Sequence, residues 1–590
     1  MKDKAVDTGL ISKLFFRLLP VQILLSVVTA VNGTVSSLFA GNFCGPAAMS
    51  AIGLFSPIVM LMTSVGTMLM GGSQLVSGKY MGRNQVERTQ GIFAANMLIS
   101  SAFSLLSVFV LLLMSLADLT RIFTADSVVR IAFNRYILGH VIGIPPMILG
   151  QQLSGFLSLE NQSRRTTVAS VVFIAVNTLL GFLFVAVLRW EAFGLALASS
   201  IGLWVFFGIQ AEYYFAGRSV LKLSFFGFRF ADAFEIVKTG YPGALSNGYQ
   251  TLRGFIVNAL ILQFVGNAGL SAFAASDSVM RIFWAVPTGM LAVSRMLISI
   301  SVGEEDRGTL TGIMRVVMYR CIPLMCGVSA LIILCAEPLT RLFYRDPALP
   351  VYQMTVMAFR VIPLCMPFST ICTHFVCYGQ ASGKQLLVHI LSILDGVVCV
   401  AAFTAILIPF LGMNSVYIAN ILNGIVCVLT IVLYSAAVRK KFPRNMGELM
   451  VIPDAFGVSE SERIDITVRT PSEVVSVSGR VIDFCRERGI DERRSYHAGL
   501  FLEEMAGNVV DHGFIKDKKS HSVDIRVIHK GEDVILRLRD DCIRFDPAER
   551  QAIADPEDSA KNIGIRLVYA KAKAISYQNM LGLNVLTIRI

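Results

Sequence analysis

Glu504, Asn508 and His512 stand at i, i+4 and i+8 within Glu503-Glu504-Met505-Ala506-Gly507-Asn508-Val509-Val510-Asp511-His512-Gly513. On a helix that spacing lines all three along one face, opposite Leu500, Leu502 and Val509. Such a polar stripe is either solvated surface or a site. A zinc-type triad is disfavoured, because Asn is a weak ligand for such ions. A side-chain carbonyl beside a carboxylate suits Mg2+ and the orientation of a hydroxyl that attacks phosphorus.

A second set of candidates sits in apolar surroundings, where a charge is costly and faces a cavity or a partner. Between residues 250 and 400 these are Arg253, Asp277, Arg281, Arg360, His374, His389 and Asp395, against only Arg135 and His140 near mid-span earlier in the chain. Asp277 and Arg281 are four apart and form an ion pair on one helical face. Asp395 has no cationic residue at i±3 or i±4. It must therefore find a partner on another helix, bind a cation or be protonated, which makes it the candidate for an ion-coupling group. Arg253 and Arg360 either bind an anionic group of a substrate or lock helices together.

The elements that position these residues follow from composition. Of 590 residues, 54% are hydrophobic and 16% charged, with a mean hydropathy of +0.64, too apolar for a soluble chain, in which about a quarter are charged. Residues 461–590 hold 21 basic and 21 acidic groups, so the formal charge of +11 lies entirely in the first 460. Excess Lys and Arg there is what cytoplasmic loops and anionic lipid headgroups require, and it is no nucleic-acid footprint. Apolar runs of about 20 residues or more predict twelve spans, near 17–40, 50–78, 92–116, 130–158, 166–188, 192–216, 240–264, 270–300, 312–335, 350–378, 386–408 and 414–438. An even count puts both termini on one side. Lys79, Arg83, Arg88, Arg164, Arg165, Arg218, Lys222, Arg229, Lys238, Lys384 and Arg439-Lys440-Lys441 all fall in breaks on that side, which names it cytoplasmic. The first apolar run is helix one and not a cleaved leader. Nine of the eleven cysteines lie in the apolar part without CxxC pairs, and read as small buried hydrophobes.

The chain repeats at an offset of about 220 residues. Leu119-Thr120-Arg121-Ile122-Phe123 with Asp126 recurs as Leu339-Thr340-Arg341-Leu342-Phe343 with Asp346, and Met49-Ser50-Ala51 falls on Leu270-Ser271-Ala272. A duplicated six-helix unit follows, with both copies in the same orientation and a cavity between two lobes. Pro20, Leu38-Phe39-Ala40-Gly41, Gly45-Pro46-Ala47-Ala48, Gly71-Gly72-Ser73-Gln74-Leu75-Val76-Ser77 and Gly155-Phe156-Leu157 resemble, in order and over roughly residues 10–440, the multidrug and toxic compound extrusion (MATE) family. The resemblance implies a two-lobed secondary antiporter that extrudes small organic solutes in exchange for Na+ or H+. Where many similar bacterial members carry an acidic residue on helix one, this chain has Val35-Ser36-Ser37, and Ser36 does not titrate.

After Lys441-Phe442-Pro443 the composition changes. Residues 442–461 read as a linker, and the following pattern predicts a strand at 463–468, helices at 472–488 and 491–512, strands near 522–528 and 533–539, a helix at 564–575 and a strand at 583–590. Helices interleaved with a mainly antiparallel sheet make an α+β sandwich. The E-x-x-x-N-x-x-x-H-G segment, Arg539-Asp540-Asp541-Cys542-Ile543-Arg544-Phe545-Asp546-Pro547, Asn562-Ile563-Gly564-Ile565-Arg566-Leu567-Val568 and Asn584-Val585-Leu586-Thr587 together resemble GHKL (histidine-kinase-like) ATPases of the anti-sigma-factor serine kinase type. That resemblance implies a Bergerat-type fold binding ATP and Mg2+. It places Asn508 on Mg2+, Glu504 as base or water-orienting group, Asp540 on the adenine amino group and Gly564 near the phosphates. His512, Asp541 and Arg566 belong to the same boxes. Cys542 and Asn562 stand where the family has glycines, so binding is retained more easily than turnover.

The expected architecture is an all-α polytopic membrane domain of twelve helices in two six-helix lobes, 1–228 and 229–441, followed by the linker and a cytosolic α+β domain over 462–590. The expected function is an ion-driven efflux antiporter in the cytoplasmic membrane, regulated by an ATP-binding tail. The alternative is a membrane sensor whose tail phosphorylates or sequesters a cytosolic protein partner; serine-kinase or ATPase activity would belong to that tail alone. No histidine-kinase dimerisation pair lies between Arg439 and Ile464.

Overall fold

The computed structural model describes residues 8–39, 45–124, 126–219, 221–222, 229–514, 521–543, 546–547 and 563–590. The chain divides into two compact units, the first of Met1–Ser158 and Gln162–Ile452, the second of Pro453–Ile590 with Leu159–Asn161.

The first unit is helical. Among the described residues its helices fall into two runs of six rods. The first run is α1 (Thr8–Phe39), α2 (Gly45–Gly82), α3 (Val86–Leu116), α4 with α5 (Ser127–Val141, Ile144–Leu159), α6 (Ser163–Gly181, extended by a π-turn to Val187) and α7 (Glu191–Phe215). The second is α8 (Phe230–Phe264), α9 with α10 (Asn267–Phe283, Ala285–Gly303), α11 with α12 (Arg307–Val316, Ile322–Leu334), a short α13 (Ala336–Arg341), α14 with α15 (Pro350–Val361, Met366–Ser382), α16 with α17 (Gln385–Ile393, Cys399–Leu411) and α18 (Asn414–Arg439). Prolines set several interruptions, since proline lacks an N–H and clashes with the preceding turn: Pro145-Pro146 follow the break at Ile142–Gly143, and Pro363 lies in the 3-10 turn Ile362–Cys365. Nine of these helical stretches are long and apolar enough to cross a membrane. The sequence expects twelve spans. In the 130–158 stretch the break leaves α4 and α5 too short individually, and α8 opens with Asp232, Glu235 and Lys238.

The repeat is visible in three dimensions. Thr120 and Thr340, its equivalent positions, are both buried. Asp126 Oδ1 accepts from the Val128 and Val129 amides and caps α4, and Asp346 Oδ1 accepts from the Ala348 amide at 2.9 Å. The outward surfaces are apolar, as with Leu105, Leu106, Phe109 and Leu116 of α3 or Leu429 and Leu433 of α18, which suits hydrocarbon as the surrounding solvent.

The two runs are joined at the end of the bundle that carries Lys79, Arg83 and Arg88. Tyr80 Oη donates to Glu235 at 2.8 Å, Arg88 pairs with Asp232 at 3.3 Å, and Arg320 donates to Ser12 Oγ at 2.7 Å. Backbones approach through glycine: a Cβ at Gly72 would lie 2.2 Å from the Ile236 carbonyl oxygen, and one at Gly82 would lie 2.2 Å from that of Ile300. Gly82→Val is therefore expected to lower stability by about 1–3 kcal/mol, the usual cost of overpacking. A thermal melt of the purified protein checks it, and an unchanged midpoint would mean that this crossing yields freely.

Residues 442–452, read from sequence as linker, fold onto the helical unit. Ser435 Oγ donates to the Glu448 carbonyl at 2.8 Å and Lys384 Nζ to that of Val451 at 2.8 Å, around α19 (Met446–Leu449).

The second unit is an antiparallel five-stranded sheet in the order β1-β2-β3-β5-β4, with strands Arg463–Val468, Val523–Lys530, Asp533–Asp540, Ala574–Met580 (β4) and Leu583–Arg589 (β5). Helices α20 (Pro471–Arg486), α21 (Glu492–Asn508) and α22 (Ile563–Lys571) share with it a core that includes Val468, Val477, Phe501, Leu502, Ile525, Leu536, Leu538, Val568 and Ile588. The helix expected over 564–575 stops at Lys571, and β4 takes the remainder. Leu581 and Gly582, both at positive φ, make the two-residue turn that pairs Met580 with Leu583.

Candidate functional site

The first run of rods is held internally by neutral polar groups. Asn96 Nδ2 donates to Gln152 Oε1 at 3.1 Å, Gln152 Nε2 to the Gly66 carbonyl at 3.1 Å, Ser154 Oγ to Gln210 Oε1 at 2.8 Å and Ser199 Oγ to Asn177 Oδ1 at 3.0 Å. Sequence reading passed over these amides because uncharged residues give no signal against an apolar background. The backbone at Ser36 is helical, and its side chain lies outside the described residues.

The second run holds the carboxylate. Asp395 lies in the π-turn Leu394–Val398, which joins α16 to α17, and such turns inside helices are frequent at functional sites. Asn423 Nδ2 of α18 donates to Asp395 Oδ1 at 2.8 Å, and Arg253 of α8 donates to the Asp395 carbonyl at 3.1 Å. Small neighbours allow this convergence. A Cβ at Gly396 would come within 2.5 Å of Tyr249 Cβ, and one at Gly424 within 2.5 Å of Phe368 Cβ, so α8 and α15 press against the turn and α18 respectively. Cys372 of α15 and Cys427 of α18 complete a cluster with Asp395 in which the donor atoms lie within 4.8 Å of one another. Both cysteines are buried, as the general reading of the membrane cysteines expects, and they are also neighbours. Nothing in the spacing of two residues 55 apart could have shown it. Cys326 departs from that reading, since it is exposed, and no disulfide links the ten described cysteines.

The other charged candidates are distributed differently. Arg281 grips Asp277 Oδ2 with Nε at 2.9 Å and Nη2 at 2.7 Å on an exposed face, the i, i+4 geometry expected. Arg360 pairs with Glu337 of α13 at 3.1 Å, both about half exposed, so in this structure it locks neighbouring helices. Tyr241 Oη and His389 Nε2 are hydrogen-bonded between α8 and α16. Arg295 of α10, which sequence reading did not single out, lies against Gly71 of α2.

In the second unit the named boxes come together. Asn508 ends α21, and its Nδ2 donates to the Glu504 carbonyl at 2.7 Å. A π-turn, Val509–Gly513, follows and leaves His512 exposed. A Cβ on Gly564 would lie 1.7 Å from Glu504 Oε2, so the first turn of α22 rests directly on that carboxylate. Gly513 lies against the Arg539–Pro547 box, with Cys542 Sγ 3.0 Å from where its Cβ would be. Asp540, at the end of β3, is 5% exposed, and its Oδ1 accepts from Asn584 Nδ2 at 2.7 Å and from the Cys542 amide at 3.0 Å. Burial raises its pKa despite those donors. A carboxyl raised in the folded state stabilises fully below its unfolded pKa and loses that contribution as pH rises through the folded one. Asp541 Oδ1 meets His521 Nδ1 at 2.8 Å, and with Cys542 the pair offers a second metal-type cluster. His521 was not singled out from sequence. Arg566 is exposed on α22. Arg544, Phe545 and Asn562 lie outside the described residues.

The helical unit defines a class: a multi-pass membrane body made of two like runs of six rods, the architecture of transporters. The MatE family model matches residues 22–183 and 242–406, one stretch in each run and more than half of the chain. The chain belongs to the MatE family. Solved structures agree in fold. An outward-facing conformation of a multidrug resistance MATE family transporter of the MOP superfamily is 18% identical with a TM-score of 0.68, over 76% of this chain and 99% of that one. MATE in complex with MaL6 gives 20%, 0.67, 73% and 97%. A MOP superfamily transporter from Pyrococcus furiosus, described with a binding pocket of reversed polarity, gives 19%, 0.65, 72% and 96%. A comparison with curated proteins finds no match.

Proposed function

We propose that the protein is an efflux antiporter of the cytoplasmic membrane, which moves small organic solutes between its two lobes in exchange for Na+ or H+. The observation that carries this reading is Asp395. It is a carboxylate within the second run of a MatE body, whose Oδ1 accepts from the amide of Asn423 while the cationic Arg253 bonds the backbone carbonyl of the same residue. Such a group exchanges a cation, and a solute is coupled to it when both bind the same conformational state with differential affinity. The two runs of rods make twelve spans, with the Lys- and Arg-rich breaks and both termini in the cytosol.

The tail fits ATP and Mg2+ in the chemistry of its donors. Asn508 supplies a hard carbonyl oxygen for Mg2+, Glu504 a carboxylate to hold a water or hydroxyl, Asp540 a buried acceptor for an amino group, and Gly564 a helix start without a side chain. Mg2+ neutralises phosphate charge when bound. Within the tail, these residues bind and orient, and regulation of the membrane body follows from a nucleotide-dependent conformational bias. The sensor reading rests on the same two contacts, Gly564 with Glu504 and Asp540 with Asn584, and measured solute flux separates the two.

The topology has its own test. A cysteine introduced at Gly531, in a hairpin turn of the tail, is expected to resist a membrane-impermeant thiol reagent in intact cells and to react after permeabilisation. Labelling in intact cells would reverse the assigned orientation.

A further inference from the structure

Beside the carboxylate, the cluster in the second run offers two sulfur donors, which also suit a softer cation. Cys372 and Cys427 are 1% and 0% exposed, whereas Asp395 is partly open, so the site is walled on the sulfur side and reachable past the carboxylate. Three rods contribute one ligand each: α15, the π-turn after α16, and α18. Their donor atoms all lie within 4.8 Å of one another. Modest side-chain rotation brings them to the roughly 2.3 Å metal–sulfur and 2.0–2.2 Å metal–oxygen distances of a zinc-class ion.

A supporting layer is also in place. Asn423 Nδ2 holds Asp395 Oδ1 at 2.8 Å, and the Cys427 thiol points to Asn423 Oδ1 at 3.7 Å. Asn423 thereby orients Asp395 as outer-shell partners do in metal sites, and its carbonyl oxygen releases the Cys427 thiol when that group loses its proton to a metal.

Charge selects the valence. Two thiolates and a carboxylate carry three negative charges, and the Arg253 guanidinium, bonded to the Asp395 carbonyl, supplies one positive. A divalent cation closes the balance in a region where net charge is costly, and a monovalent one leaves a residue of one. From these observations we propose that Cys372, Cys427 and Asp395 form a binding site for a thiophilic divalent cation of the Zn2+ and Cd2+ class, with the fourth coordination position left to water. Each ion bound displaces the two thiol protons to solvent, because the ligands must be deprotonated. The proposal stands on donor geometry and does not rest on the transport reading.

The probe is Cd2+ alone, titrated into the full-length protein in detergent under a phosphine reductant. The Cys326→Ser/Cys542→Ser background removes the exposed membrane thiol and the thiol of the tail cluster. The expected result is an ultraviolet thiolate-to-cadmium charge-transfer band that saturates at one ion per chain, with two protons released per ion. Cys372→Ser and Cys427→Ser should each abolish it while Cys335→Ser retains it. Absence of the band, or its survival in the Cys372→Ser/Cys427→Ser double variant, overturns the proposal. Where a serine variant does not fold, Asp395→Asn is read instead: its Kd for Cd2+ should rise by at least the roughly 10–100-fold that loss of an outer-shell partner alone costs, and an unchanged Kd contradicts the site. Binding is measured without flux, so failure here and failure of the transport assay are separate results.

Discussion

Asp395→Asn is expected to lower ion-driven solute flux by about 5- to 150-fold, the range of a coupling free energy of 1–3 kcal/mol, while leaving the amount of folded protein unchanged. The isosteric amide keeps a hydrogen-bonding partner for Asn423, which donates to this side chain at 2.8 Å, so packing of the π-turn against α18 is preserved. What the substitution removes is the charge that a cation exchanges against. Flux in reconstituted vesicles, measured beside the melting temperature, checks it. A variant with full flux would make Asp395 a structural residue. Arg253→Ala supplies a companion measurement. If Arg253 only supports the turn through the Asp395 carbonyl, anionic and cationic solutes should lose flux equally; selective loss of the anionic solute would mean that it binds the substrate.

The second large effect concerns the tail, where Asn508 and Glu504 should separate binding from turnover. Asn508→Ala removes the proposed Mg2+ ligand, so ATP affinity of the full-length protein in the presence of Mg2+ should fall by at least the roughly 10–100-fold that loss of outer-shell support alone costs a metal site. Glu504→Ala keeps that ligand. Nucleotide should still bind, and any phosphotransfer or hydrolysis should drop by about 10²- to 10⁴-fold. The Glu504 change also vacates the carboxylate against which Gly564 rests, so its melting temperature must be followed alongside. Calorimetry showing no ATP binding to the wild-type protein would leave the convergence of these residues as a protein-binding surface.

Much of this architecture is legible in the residues. The apolar runs, the repeated Leu-Thr-Arg-x-Phe motif and the charged breaks are long-range patterns that hydrocarbon imposes on any spanning chain, and they lead to the two runs of rods and the MatE family. Interruptions within rods were less legible. The π-turn at Leu394–Val398 has no proline to announce it, and so the position of Asp395 relative to Cys372 and Cys427 had no sequence signature. Asp395 itself was conspicuous because a lone carboxylate in apolar surroundings needs an explanation. Its sulfur neighbours were not, since cysteine packs as readily as it ligates. In the tail, the helix expected over 491–512 is α21, but it ends at Asn508, and the π-turn Val509–Gly513 takes His512 out of the i, i+4, i+8 register. The boundary between α22 and β4 slipped because Ala570 to Ala574 favours helix by propensity, which the pairing of β4 with β5 across the Leu581-Gly582 hairpin overrides.

Solute movement is the central claim and has a direct test. Full-length protein reconstituted in proteoliposomes should drive uptake or release of a fluorescent organic cation when a Na+ or H+ gradient is imposed, with flux that collapses when the gradient is dissipated and falls in Asp395→Asn. Flux that is absent under both gradients, in protein shown to be folded and inserted, would contradict the account and favour a membrane sensor instead.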